Sequence, residues 1–239
     1  TLSPSPVIGS TATTGTLTWS FASGSEKFDY LAAGESLVLT YTIRVTDSNS
    51  PATTADRVII ITINGTNDAP TITLVGGDSA ASSLTETDTS LSTSGTLTVT
   101  DLDYTNTVVA SVASVVASGV TTGIISNNAA LLAMLAVTPT NILSATETTA
   151  TLAWSFNSNG EAFNYLATDE KLILTYVVRA TDSNGTPGVG SSTVVFTITG
   201  TNDVPTLTAF TAAVDTTNED TTVEITLADL LAQGNEVDV

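Results

Sequence analysis

The chain has 239 residues, with 24 acidic against 5 basic side chains and neither His nor Cys, giving a formal charge of −19. Five scattered cations cannot displace counterions from phosphates, which excludes nucleic-acid binding, and the ligands and nucleophile partners that zinc, haem and Ser–His–Asp or Cys–His chemistry need are missing. Hydrophobic residues still supply 41% of the chain, enough for cores, so what remains is carboxylate chemistry and Ca²⁺ or Mg²⁺ held through oxygen.

Thr and Ser together supply 73 residues, and β-branched Thr favours pleated, half-exposed strands, so an all-β fold is expected. No apolar run reaches the roughly 18 residues of a membrane span. The chain opens on Thr1 with no charged stretch ahead of an apolar one, so no signal peptide is expected, and both ends read as cut from something longer.

Taken in order, the first 70 residues return later. At an offset of 135, residues 1–70 align without gaps on residues 136–205 with 32 identities. Trp19-Ser-Phe21, Phe28-Asp-Tyr30-Leu-Ala and Leu37-Val-Leu-Thr-Tyr41 recur as Trp154-Ser-Phe156, Phe163-Asn-Tyr165-Leu-Ala and Leu172-Ile-Leu-Thr-Tyr176. Gly65-Thr-Asn-Asp-Ala-Pro70 recurs as Gly200-Thr-Asn-Asp-Val-Pro205. A period this long is a whole domain rather than a solenoid repeat. Residues 1–70 then read as the C-terminal part of one module, 71–205 as a complete module and 206–239 as the start of a third, distinct type.

Within the complete module, Gly95–Thr100, Thr151–Phe156, Lys171–Val178 and Thr193–Thr199 are alternating or apolar runs separated by Gly, Asn, Asp and Ser clusters. They predict an antiparallel β-sandwich. Residues 128–136, Asn-Ala-Ala-Leu-Leu-Ala-Met-Leu-Ala, favour one short helix with Asn127 or Asn128 as its cap. A two-residue spacing puts Trp and Phe of each Trp-Ser-Phe on one strand face, so Trp19, Phe21, Phe28 and Tyr30, like their counterparts, are expected in cores rather than on a sugar-stacking platform. Glu26, Glu161, Glu35 and Glu170 are expected in solvated loops. Arg44 and Arg179, on apolar strands, are expected either to pair with a cross-strand carboxylate or to snorkel.

The block from Phe28 through Leu-Ala-Ala-Gly-Glu-Ser-Leu-Val-Leu-Thr-Tyr-Thr-Ile-Arg-Val-Thr-Asp-Ser to Asn-Gly-Thr-Asn-Asp-Ala-Pro70 resembles the VCBS repeats of bacterial RTX-type adhesins. Residues 149–205 repeat it, Gly95-Thr-Leu-Thr-Val-Thr-Asp-Leu-Asp103 is similar to the family's early strand and Asp-x-Asp, and residues 206–239 resemble the opening of a cadherin-like domain. The resemblance implies tandem Ig-like or cadherin-like β-sandwich modules forming the extension region of an extracellular, type I-secreted adhesin on a bacterial surface. It implies Ca²⁺ between neighbouring modules of the same chain, no enzymatic activity and no membrane insertion, with any host or biofilm-matrix ligand taken by other domains. An alternative is a module that itself binds a glycan or a partner protein; a paired-carboxylate hydrolase is the one enzyme class left open.

The candidate ligands follow from oxygen chemistry. Asn67-Asp68, ahead of Pro70, offers oxygens where two modules meet; Asp101 and Asp103, two apart, share a side in extended chain. By the resemblance, Asp182 joins them from the Thr-Asp-Ser-Asn turn, and Glu86, near the module start, serves the downstream junction. That junction offers Asn202 and Asp203, with Asp238 in place of an Asp-x-Asp. Asp and Asn are also ordinary turn formers, and Asn-Asp-x-Pro read alone is a good turn.

Overall fold

The computed structural model describes residues 1–204, 206–210, 216–229 and 234–237. It divides into two compact units, Thr1–Thr66 and Asn67–Val239.

The first unit contains β1 (Leu2–Ser3), β2 (Thr18–Trp19), β3 (Ser36–Thr46) and β4 (Thr54–Asn64). β1 pairs with β2, and β3 with β4, both antiparallel. Arg44 sits directly opposite Asp56 on that hairpin and grips it with two bonds of 2.9 Å, so the cross-strand alternative holds here.

The second unit begins with β5 (Thr71–Thr73), β6 (Ala81–Thr85), β7 (Ser92–Thr100) and β8 (Val108–Gly119), followed by helix α1 (Asn128–Leu132). It continues through β9 (Leu135–Thr138), β10 (Asn141–Leu143), β11 (Thr149–Asn157), β12 (Lys171–Asp182) and β13 (Val189–Thr199), then β14 (Thr206–Phe210) and β15 (Gly234–Val237). A five-stranded sheet in the order β10-β8-β12-β13-β6 faces a four-stranded sheet in the order β5-β7-β11-β9, and β14 pairs with β15 separately. All of these pairings are antiparallel except one: β6 runs parallel to β13, with Ala81 opposite Val195 and Thr85 opposite Thr199. The expected sandwich is therefore present, closed on one edge by a parallel strand.

Alternation builds the core. Leu172, Leu174, Tyr176, Val178 and Ala180 of β12 point inward with no exposed surface, as do Val194, Phe196 and Ile198 of β13, against Leu97, Val99, Leu152, Trp154 and Phe156 of the facing sheet. The inward set of β8 changes parity, from Val108 and Ala110 to Val115, because Ala113 is an extra residue where the ladder to β12 shifts between Val177 and Val178. Phe196 stacks on Phe156 at 4.3 Å and takes the edges of Trp154 and Tyr176 at 5.4 and 5.7 Å. Helix α1 is capped as expected, by Asn127, whose side chain accepts from Ala130 N at 2.9 Å.

Both units keep the same local geometry. Left-handed backbone recurs at Gly24 and Asn159, at Phe28 and Phe163 and at Gly34 and Asp169, each pair 135 residues apart. Glu35 Oε2 accepts from Ala32 N at 3.0 Å and Glu170 Oε2 from Ala167 N at 3.1 Å, so this recurring Glu closes a turn in both copies.

Two expectations need correction. In the second unit Trp154, Phe156 and Phe163 are buried, but in the first Trp19, Phe21 and Tyr30 are exposed and Phe28 is half-buried. In the first unit the described strands form two separate two-stranded sheets, β1-β2 and β3-β4, whereas in the second the equivalent strands lie within four- and five-stranded sheets. Glu161, expected in solvent, is buried and accepts from Ser126 Oγ at 2.9 Å, whereas its counterpart Glu26 stays exposed. Arg179 is exposed between Ser111 and Ser191 and faces no carboxylate across the ladder.

Candidate functional site

β12 is twelve residues long, so the sandwich spans about 36 Å at the usual strand rise. Polar clusters cap its two ends.

At the first end, three chain segments converge. Asn67-Asp68 enters ahead of β5, Asp101 and Asp103 lie on the turn after β7, Asn106 precedes β8, and Asp182 terminates β12. Asp101, Asp103, Asn106 and Asp182 are all buried, a costly placement for carboxylates. Leu102 between the two aspartates is exposed, so Asp101 and Asp103 do share the inward side. The turn is closed by Asp103 N donating to Asp101 Oδ1 at 3.1 Å.

The incoming segment is bound into this cluster. Asp68 N donates to Asp103 Oδ2 at 2.9 Å, and Asn67 Nδ2 donates to Asp182 Oδ2 at 3.0 Å. Asn106 Nδ2 bridges Asp103 Oδ2 at 3.0 Å and Asn67 Oδ1 at 3.3 Å. Asp182 also accepts from Asn184 N at 3.0 Å and Gly188 N at 2.9 Å. Two glycines make room for the segment. A β carbon at Gly190 would stand 2.0 Å from the Pro70 carbonyl oxygen, and one at Gly188 would stand 2.7 Å from Ala69 Cα.

One oxygen is left over. Asp101 Oδ2 is buried without a hydrogen-bond partner. Burial pushes the Asp101 carboxyl up to about 6, with the charges of Asp103, Asp182 and Asp68 adding to the rise and the bond from Asp103 N opposing it. Such a site favours a proton or a cation. Its donors are hard oxygens of Asp and Asn, the chemistry Ca²⁺ takes in sixes to eights, so the residue types fit that ion. As they stand, no three acidic side chains among the described residues form a ready metal-binding group, and Asp103 and Asp182 accept hydrogen bonds from amide donors.

At the opposite end, Glu86 is buried beside Thr199 and Thr201. Its N–H donates to Thr199 O at 2.9 Å, and its Oε1 accepts from Thr201 N at 2.8 Å and from the Thr201 hydroxyl. Oε2 is buried without a hydrogen-bond partner. Asn202 is exposed and donates to Asp203 O at 3.1 Å, Asp203 is half-buried, and Asp238 lies outside the described residues. Glu86 thus sits against the strand end that leads into Asn202-Asp203.

Asn67, Asp68, Asp101, Asp103 and Asp182 are brought together, and Glu86 is set at the other end with Thr201. Asn106 and Gly188 were missed from sequence. The spacing Asp101-x-Asp103-x-x-Asn106 was the signal for Asn106; nothing local marked Gly188, whose N–H matters only once the turn folds back on Asp182.

No family model matches this chain, and no curated protein does. Solved structures similar to it include the ASH/PapD-like domain 7 of human CEP192, with 8% identity, a TM-score of 0.35, and coverage of 56% of this chain and 86% of that one. The protocadherin γB4 extracellular domain gives 15% identity and a TM-score of 0.38, covering 72% of this chain. The chain spans only 23% of that protocadherin's length. The periplasmic chaperone SfaE gives 14% identity and a TM-score of 0.30, covering 55% of this chain and 58% of that one.

Proposed function

We propose that this chain is a structural extender: non-enzymatic β-sandwich modules of a secreted bacterial surface adhesin of the VCBS-repeat, cadherin-like kind, joined by segments that Ca²⁺ fixes in place. The observation that carries the reading is the buried, hydrogen-bond-free Oδ2 of Asp101, among the charges of Asp68, Asp103 and Asp182 where Asn67-Asp68 enters the sandwich. Bound Ca²⁺ would supply positive charge for carboxylates that otherwise repel. The residues that would hold it are Asp101, Asp103 and Asp182 from the sandwich, with Asn67 and Asp68 from the entering segment. That segment is already tied by Asp68 N–H to Asp103 and by the Asn67 amide to Asp182, so binding there would hold linker and sandwich as one piece. Glu86 with Asn202 and Asp203 would serve the next junction in the same way.

Among the described residues no helix is long and apolar enough to cross a membrane, and the reading assigns the chain to the extracellular face of the cell. Glycan binding through the recurring aromatics is disfavoured in the complete module, where Trp154, Phe156 and Phe163 fill the core.

The test is calorimetric titration of Ca²⁺ into the whole, chelator-stripped chain. The expected result is uptake at millimolar or tighter affinity, with a Tm that rises with ion concentration because only the folded state binds. Asp103→Ala combined with Asp182→Ala should remove uptake at the first cluster and leave any at the Glu86 end. Absence of uptake by the unsubstituted chain would refute the reading.

A further inference from the structure

The sequence contains three Asn-Gly pairs, Asn64-Gly65, Asn159-Gly160 and Asn184-Gly185, and the fold treats them differently. Asn followed by Gly is chemically labile, because glycine has no β carbon to obstruct attack of its main-chain nitrogen on the preceding side-chain amide. The attack requires that nitrogen to be free. The Gly65 N–H donates to Glu35 O at 2.9 Å, and the Gly160 N–H donates to Ser90 Oγ at 2.9 Å. Among the described residues nothing accepts from the Gly185 N–H, and Gly185 is exposed.

The other two glycines are demanded by the fold, and this one is not. A β carbon on Gly65 would stand 2.3 Å from Leu31 O, and Gly160 is held at a φ of 97°. A β carbon on Gly185 would meet nothing within 4 Å, and its backbone lies outside the left-handed region. The amide beside it is also prepared for attack. Asn184 Oδ1 accepts from Thr186 N at 3.4 Å, a donor that draws charge from the carbon under attack and faces the developing oxyanion. The first unit supplies an internal comparison. Asn49 N donates to Asp47 Oδ1 at 3.1 Å, as Asn184 N donates to Asp182 Oδ1 at 3.0 Å, so the two turns begin alike. There, Ser50 stands in place of Gly185, and Pro51, which has no N–H, in place of Thr186.

We propose that Asn184-Gly185 is a self-modification site, at which the amide converts spontaneously to aspartate and isoaspartate and so loosens the turn that holds Asp182. The Gly185 nitrogen gives its proton to solvent and bonds to Asn184 Cγ, while the Cγ–Nδ2 bond breaks and Nδ2 leaves as ammonia. Water then opens the succinimide ring at either carbonyl. Breaking the new N–Cγ bond gives aspartate. Breaking the original peptide bond gives isoaspartate, whose main chain runs through the side chain and is one methylene longer. Either product sets a new carboxylate two residues from Asp182, in a chain already at −19. Isoaspartate also lengthens the loop through which the Gly188 N–H reaches Asp182 Oδ2 at 2.9 Å, the oxygen to which the Asn67 amide donates at 3.0 Å. The inference does not depend on cation binding.

The experiment incubates the whole folded chain in chelator at neutral pH. Each asparagine is followed by peptide mapping with mass spectrometry, and isoaspartate is scored by enzymatic methylation. The expected result is that Asn49, Asn64 and Asn159 remain amides when Asn184 is half converted, with isoaspartate mapping to position 184. Gly185→Ala should lose most of the conversion without a change in Tm, because its β carbon meets nothing. Converted chain, separated by anion exchange, should show faster hydrogen exchange at Gly188 than unconverted chain, with β12 still protected. The proposal is overturned if Asn64 or Asn159 converts as fast as Asn184, or if Gly185→Ala converts equally. Unchanged exchange at Gly188 would overturn it too, since the turn would then be indifferent to the change. Conversion confined to urea-unfolded chain would do the same, because the folded turn would then protect the amide.

Discussion

Asp101 is the residue on which stability and the proposed function meet. Its folded pKa of about 6 stands above the ordinary 3.8 because burial and the neighbouring carboxylates disfavour the anion. Between about pH 4 and 6 the folded chain therefore keeps a proton that the unfolded chain has released, so in the absence of divalent cations stability falls as pH rises through that window. The full effect is at most about 3 kcal/mol. Asp78 works in the opposite sense in a lower window. The hydroxyls of Thr96 and Thr98 and the N–H of Val75 lower its pKa, so its contribution is present above about pH 4 and is lost on acidification. Urea melts in chelator at pH 4.5 and 7.5, compared between the unsubstituted chain and an Asp101 variant, thus single out Asp101 from carboxylates such as Glu147, whose pKa is lowered. The unsubstituted chain should be less stable at 7.5, and Asp101→Asn, which keeps the acceptor for Asp103 N, should remove most of the difference. A slope unchanged by that substitution would mean the charge burden lies elsewhere.

At the scale of elements, the recurring Gly-Thr-Asn-Asp has a steric cause. A β carbon on Gly200 would stand 2.2 Å from Leu166 O and 2.4 Å from Ala167 O, and one on Gly65 would stand 2.3 Å from both Leu31 O and Ala32 O. The glycine lets the strand end lie against the Leu-Ala turn that the Glu side chain closes. Gly190 does the same for the entering segment, but its counterpart in the first unit is Ala55, and Thr53 replaces Gly188 with a hydroxyl that donates to Asp47 at 2.5 Å. Gly190→Ala should consequently unseat Pro70 and Thr71, costing about 1–3 kcal/mol. Hydrogen exchange should accelerate at β5 while β12 stays protected; equal acceleration in both would show that the glycine serves the whole sandwich rather than the segment. These elements were unequally legible in sequence. The alternation of β12 and β13, the Asn127 cap and the inward pair Asp101 and Asp103 are local patterns and could be read directly. The burial of Glu161 requires Ser126, 35 residues away, and the parallel seating of β6 on β13 requires a crossover that no local pattern marks. The exposure of Trp19 was hidden as well: its motif is identical to that of Trp154, and no local pattern separates an exposed copy from a buried one.

For the whole molecule, a charge of −19 offers two routes by which calcium could change dimensions, and they must be separated. Simple screening follows ionic strength, with a Debye length of about 10 Å at 0.1 M, and any salt provides it. Site binding depends on buried oxygens that monovalent ions do not satisfy at similar concentration. The extender reading requires the second route, because an ion held among Asn67, Asp68, Asp101, Asp103 and Asp182 would add to the two hydrogen bonds that already seat the entering segment on the sandwich. Small-angle scattering at constant ionic strength should therefore show a larger, more sharply defined maximum dimension with Ca²⁺ at about millimolar concentration, the range of extracellular calcium modules, than in chelator. Sodium chloride at matched ionic strength should fail to reproduce the change, and the chain carrying Asp103→Ala and Asp182→Ala should respond to neither. Equal curves for calcium and sodium would reduce the acidity to screening and remove the stiffening role. Loss of the response in the doubly substituted chain, with far-UV circular dichroism unchanged, would locate it at the upstream end of the sandwich.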